Sequence, residues 1–247
     1  MAATPAPAAA APGSPTNITL HAGGVGVEAD VVSNMSKSAV GKPFSIVPNI
    51  YYGINDQLSV GIANNFGSEV FQTTPGAGLC LAGQSNGCAK VYNAVSLDAL
   101  FSFMRQATMD IGAHGGLDVW EFSPDLLMKL RVGVKGRVMA GPLLITFDPA
   151  VRFGLTKRDA DGNKEDIGIP VRLGFLPMPA LNVGASVGIF GPLSHFGDLY
   201  TIPVGVGGTY SINQTLDARA QFAFLNLAGK GSSADVRALS VGVAYHM

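Results

Sequence analysis

Charge is scarce in this chain. Charged residues make up 13% of its 247 positions, against about 25% in an ordinary globular domain, too few to coat a soluble fold of this size. Long apolar runs are missing as well. Apolar residues reach 47%, yet Gly, Pro, Asp, Asn, Lys or Arg interrupts every run before the roughly 18 consecutive apolar residues that a spanning helix needs. A bilayer admits only helices and closed barrels, because it offers no partner to an unpaired backbone group. With helices excluded, composition points to a barrel. There is no basic tract, and the net charge is −1, so nucleic acid is not an expected partner. Cysteine is limited to Cys80 and Cys88, close together in a Gly/Ser/Asn-rich stretch with no nearby His. That spacing reads as a disulfide of an oxidising compartment rather than a metal site. The opening residues carry neither a basic n-region nor an apolar h-region. The reading is therefore a mature chain whose Ala/Pro-rich residues 1–16 form a disordered tail, followed by a single barrel domain over 17–247.

What the chain does have is alternation with period two. Lys129-Leu130-Arg131-Val132-Gly133-Val134-Lys135-Gly136-Arg137-Val138 places basic residues or Gly at odd positions and apolar residues at even ones, Gly136 excepted. Leu181–Ile189 and Leu239–Tyr245 repeat the pattern with small polar partners. A strand sorts such residues onto two faces automatically, whereas a helix cannot. The pattern predicts about twelve strands, near 18–32, 43–53, 57–66, 92–104, 107–118, 125–139, 143–156, 166–176, 181–191, 200–211, 215–227 and 236–247. Short turns alternate with longer loops, the longest over 67–91. That asymmetry is expected of an outer-membrane barrel with periplasmic turns and extracellular loops, and it places both termini on the periplasmic side.

Composition separates the two faces. One is Leu, Val, Ile, Phe and Ala; the other is Gly, Ser, Thr and Asn with scattered charges, too small and uncharged for a water-facing exterior. The first is read as facing lipid and the second as facing the lumen. Aromatics near strand ends, among them Tyr51, Tyr52, Trp120, Phe122, Phe175, Phe190, Tyr200, Tyr210 and Tyr245, are read as interfacial girdles. The last strand, Ser240-Val241-Gly242-Val243-Ala244-Tyr245-His246-Met247, resembles the C-terminal assembly signal of bacterial outer-membrane barrels. Ser240, Gly242 and Tyr245 match its polar, glycine and aromatic positions, and Met247 departs from the usual terminal Phe. The resemblance implies an all-β, closed, antiparallel up-and-down transmembrane barrel in the bacterial outer membrane, porin-like in architecture, with lipid as its surroundings.

The polar face carries the candidate functional residues. Lys129, Arg131, Lys135 and Arg137 form a basic ladder, extended by Arg152, Arg172 and Arg219. Glu28, Asp30, Asp98, Asp110, Asp118, Asp148 and Asp217 form the acidic counterpart. None can face hydrocarbon cheaply, since Lys or Arg at the midplane costs about 2–4 kcal/mol. Two readings stay open. Either these residues line an aqueous pore for small polar solutes, anions among them, helped by many inward glycines, or they are buried ion pairs filling a non-conducting structural barrel that interacts through the 67–91 loop. A lipid-modifying enzyme is remote. Gly184-Ala185-Ser186-Val187-Gly188 matches G-x-S-x-G but lacks the strand-to-helix elbow that motif requires. His21, His114, His195 and His246 have no Ser and acid at recognisable spacing, and His114 reads as an inward filler. The stretch from Asp159 to Asp166 lacks EF-hand spacing and reads as a solvated loop. No cofactor or metal is implied.

Overall fold

The computed structural model describes residues 16–37, 42–65, 68, 70–71, 75–81, 88, 91–122, 126–159 and 163–247. The expected tail therefore lies outside the described residues, apart from Thr16. Fifteen strands follow one another among them: β1 Val25–Asn34, β2 Phe44–Asn55, β3 Leu58–Ala63, β4 Gly78–Cys80, β5 Tyr92–Asn93, β6 Val95–Gln106, β7 Met109–Glu121, β8 Leu127–Ala140, β9 Leu143–Phe147, β10 Ala150–Gly154, β11 Asp166–Met178, β12 Leu181–Pro192, β13 Thr201–Ser211, β14 Leu216–Gly229 and β15 Arg237–His246. A 3-10 turn (Leu193–His195) and a short helix, α1 (Phe196–Leu199), sit in the loop between β12 and β13.

β9 and β10 are halves of one wall strand, both pairing with β8 on one side and β11 on the other. β4 and β5 form a small pair that extends β2 beyond the end of β3. The remaining strands bond in chain order, and β1 pairs with both β2 and β15. The result is a closed antiparallel barrel of twelve wall strands. All twelve predicted strands are present within a few residues, except that the first begins at Val25 rather than near 18.

β8 shows how the alternation is realised. Leu130, Val132 and Val134 are 44%, 52% and 40% exposed on the outside, while Arg131 and Lys135 on the inside are 2% and 6% exposed. The same outward apolar rows run through Val183 and Val187 on β12 and Val241, Val243 and Tyr245 on β15. An uninterrupted apolar exterior around a polar, charged interior is inverted for water and right for hydrocarbon, so the barrel is transmembrane.

The first strand starts late because the chain turns at Ala22–Gly23, with Gly23 at φ +76°. Residues 16–21 then enter the mouth of the barrel instead of joining its wall. The wall is irregular at Asp148–Pro149, where β9 gives way to β10. A residue in an antiparallel ladder turns its N–H and C=O toward the same neighbour. The Pro149 carbonyl accepts from Val134 and the Pro170 carbonyl accepts from Asp148. The N–H groups that these two prolines lack would therefore have bonded at the same break.

Candidate functional site

The lumen is divided by its longest loop. After β3 the chain leaves the wall at Asn64, whose N–H donates to Asn49 Oδ1 at 2.7 Å. Its Oδ1 accepts from the Tyr92 hydroxyl at 2.6 Å. The Val70 carbonyl accepts from Gln221 on β14 at 2.7 Å. Phe71 meets Phe190 on β12, edge to face, with ring centroids 6.1 Å apart. β12 lies six wall strands from β3, half of the circumference, so the loop crosses the full interior. The return limb packs Ala77 and Ala94 against Val32, Val47 and Trp120 inside the long-loop end. It is closed by the Cys80–Cys88 disulfide expected from the sequence, with both cysteines buried.

Two cavities lie on either side of this crossing and share Asn65, Ser68 and His114 in their walls. The one toward the short turns measures about 1380 Å³, the one toward the long loops about 240 Å³. Residues 16–22 occupy part of the short-turn mouth. The Ile18 N–H donates to Asp110 Oδ2 at 3.1 Å, the Thr19 hydroxyl to the Asp56 carbonyl at 2.8 Å, and the Leu20 N–H to Ser59 Oγ at 2.9 Å. Arg137 Nη1 donates to the Asn17 carbonyl at 2.6 Å.

The candidate charges all lie on the lumen side, and most are paired. Arg131 bridges Asp98 and, at 3.4 Å, Asp118. Arg152 spans Asp118 at 3.4 Å and Asp166 at 3.2 Å, and Lys129 reaches Asp166 at 2.5 Å. Lys135 lies 3.6 Å from Asp148, whose other oxygen is 2.9 Å from His114 Nε2. Across the barrel, Arg219 forks onto Asp30 at 2.8 and 2.6 Å and meets Glu28 at 3.0 Å. Asp217 sits 3.8 Å from His246 near the short-turn mouth. Arg172 donates to the Gly207 carbonyl at 3.0 Å, and no carboxylate among the described residues pairs with it. Adjacent strands alone leave part of the ladder uncompensated. Asp98, two strands away, and Asp166 make up most of the difference.

Several interior residues escape a composition reading. Trp120 and Phe190 line the smaller cavity and Tyr51 the larger, instead of joining the girdles assigned to them. Strand phase is the signal that locates them. Trp120 shares parity with Asp110, His114 and Asp118, Phe190 with Ser186, and Tyr51 with Asn49. Arg105, which pairs with Asp110 at 2.8 Å, and loop residues Asn65, Ser68 and Phe71 complete the interior. Ser186 of the G-x-S-x-G match sits buried within continuous β12. Ala160, Asp161 and Gly162 of the acidic loop lie outside the described residues.

No protein-family model matches the sequence, and no curated protein matches it. Solved structures do. A KdgM porin superposes with a TM-score of 0.56 at 10% identity, over 89% of this chain and 98% of that one. A KdgM porin in complex with disordered oligogalacturonate gives 0.58 at 11%, over 89% and 98%. A NanC porin gives 0.59 at 7%, over 90% and 98%. At such identities the likeness is one of architecture. The chain has the closed twelve-stranded transmembrane barrel fold of bacterial outer-membrane porins.

Proposed function

We propose that this chain is an outer-membrane channel for passive diffusion of small polar solutes, with a preference for anions. The observation that carries the reading is the 1380 Å³ lumen cavity adjoining a second cavity across Asn65, Ser68 and His114. At a liquid-water share of about 30 Å³, the larger cavity holds tens of waters. The anion preference is supported by the charge that pairing leaves over. Asp30, Asp110 and Asp118 are almost fully buried against guanidinium partners. Arg172 adds a cation with no carboxylate partner among the described residues. In this reading the short-turn end, with Val25 and Met247, faces the periplasm and the 67–91 loop faces outward. The likeness to a porin in complex with disordered oligogalacturonate is compatible with an anionic solute without naming one for this chain.

Planar-bilayer recording of the purified protein tests the proposal. Discrete conductance favouring anions is expected, with selectivity weakened or inverted in Lys135→Glu and Arg172→Glu. Selectivity that ignores both substitutions removes these residues from the path. A second reading has its own support: the crossing loop and residues 16–22 both occupy the lumen, as a non-conducting structural barrel would allow. Complete absence of conductance leaves that reading standing.

A further inference from the structure

We propose that the smaller cavity is a binding site for a small aromatic carboxylate. The inference rests on the channel reading for its place along a path, though not for its chemistry.

The cavity has an apolar side and a cationic side. Phe71 and Phe190 present two rings at an interplanar angle of 71°, and Trp120, Pro170, Pro203 and Leu225 continue the apolar lining. This is a surface suited to a flat ring, which packs edge-to-face or offset against aromatic neighbours. Facing it are Arg131 and Arg152. Their carboxylate partners Asp98, Asp118 and Asp166 stand outside the lining. The one acid in the lining, Asp148, is held between His114 and Lys135.

Arg152 is the accessible cation of the two. Its side chain is 18% exposed, and it meets Asp118 at 3.4 Å and Asp166 at 3.2 Å. Arg131 is 2% exposed, with its Nη2 on Asp98 and Asp118 and its Nε closed off from solvent. An oxygen entering the cavity therefore meets the Arg152 guanidinium first, and a carboxylate suits a guanidinium best. Two of the neutral polar groups are already engaged: Asn65 donates to the Ser68 carbonyl at 3.0 Å, and the Ser68 hydroxyl accepts from the Phe71 N–H at 3.3 Å. A ligand rich in hydroxyls would therefore compete with the loop's own hydrogen bonds. The volume of about 240 Å³ falls below the roughly 300–1,000 Å³ typical of drug-sized ligands. One ring bearing one acid group is the matching size.

Trp120 is the chain's only tryptophan, which makes its fluorescence a local reporter. The folded full chain in detergent is titrated with benzoate, then with benzamide, acetate and galacturonate, with calorimetry on the same samples. Benzoate is expected to saturate one site per chain, with each comparison compound at least tenfold weaker. Phe71→Ala, in the loop, and Arg152→Gln, whose carboxylate partners keep Arg131 and Lys129, are each expected to raise the benzoate dissociation constant at least tenfold with circular dichroism unchanged. Equal binding of benzamide overturns the anionic requirement, equal binding of acetate the aromatic one, and equal binding of galacturonate the preference for an unhydroxylated ring. No saturable benzoate response overturns the site altogether. Bilayer recording separates this proposal from the channel itself. Conductance without benzoate binding removes the site and keeps the channel, and binding without conductance does the reverse.

Discussion

Replacing Ile18 with proline changes no residue of the wall strands, but it removes one N–H from the segment in the short-turn mouth and alters a buried side chain whose Cδ1 lies over Gly112 of β7. That N–H donates to the buried carboxylate of Asp110 at 3.1 Å. A hydrogen bond to a charged group contributes about 1.5–3 kcal/mol. At 1.4 kcal/mol per factor of ten, its loss shifts the segment toward release by about 10- to 100-fold. Asp110 keeps Arg105 at 2.8 Å and the Ser102 hydroxyl, so the barrel itself should hold. Hydrogen–deuterium exchange read by mass spectrometry is the assay. The Leu20 and Ala22 amides, now tied to Ser59 and Asp56 at 2.9 Å each, should exchange about 10- to 100-fold faster. Exchange in β7 should stay as it was. Unchanged protection at Leu20 would refute the idea that the Asp110 tether holds the segment, and equal acceleration in β7 would show that the substitution damaged the wall.

Three further outcomes follow from the geometry. Arg219→Leu strands Asp30 and Glu28 without their shared cation and should cost about 3–5 kcal/mol, seen as a lower temperature for loss of heat-modifiable gel migration; an unchanged temperature contradicts the pairing. Replacing Cys80 and Cys88 with Ala opens a short covalent loop and should cost about 2–3 kcal/mol at most, leaving barrel circular dichroism intact, while two free thiols in the unreduced wild type would refute the bond. Outside the membrane, Arg158 at 2.5 Å from Glu165 holds that carboxyl below its ordinary 4.5. The contribution of this pair to loop order is thus complete above pH 4.5 and lost as pH falls through the lowered value; faster proteolysis of the 155–165 loop in acid, absent in Glu165→Gln, checks the sign.

Strand number, phase and inside–outside assignment were legible because one rule, period two, controls them all. The same rule places Trp120, Phe190 and Tyr51 inside, and only grouping by residue type assigned them to girdles. Pairing was legible only between neighbours. Asp118–Lys129 is a register pair of β7 and β8, yet Lys129 bonds Asp166 on β11, and Arg131 reaches past β7 to Asp98. Long side chains reach past the neighbouring strand, and barrel curvature, not sequence distance, decides which carboxylates are in reach. Inward glycines suggested open space. Instead, a Cβ at Gly133 would fall 2.3 Å from His114 Nε2, and one at Gly188 would fall 2.6 Å from Phe190 and 3.2 Å from Phe71. Part of that space seats rings. Nothing in the alternation signals that Val70 and Phe71 fold inward, because their contacts, Gln221 on β14 and Phe190 on β12, belong to strands far around the barrel from β3.

The break at Asp148–Pro149 gives the barrel an uneven stiffness. A closed sheet normally shares strain evenly around its girth, since every strand is tied on both sides. Here the ladder lacks the donors of Pro149 and Pro170 at one height, on the side where Arg131, Arg152 and Pro170 bound the smaller cavity. Deformation of the cross-section should concentrate in that arc, leaving the β14–β15 wall, paired without a register break, nearly rigid. An object squeezing through would be met by a compliant cheek on one side and a firm one on the other.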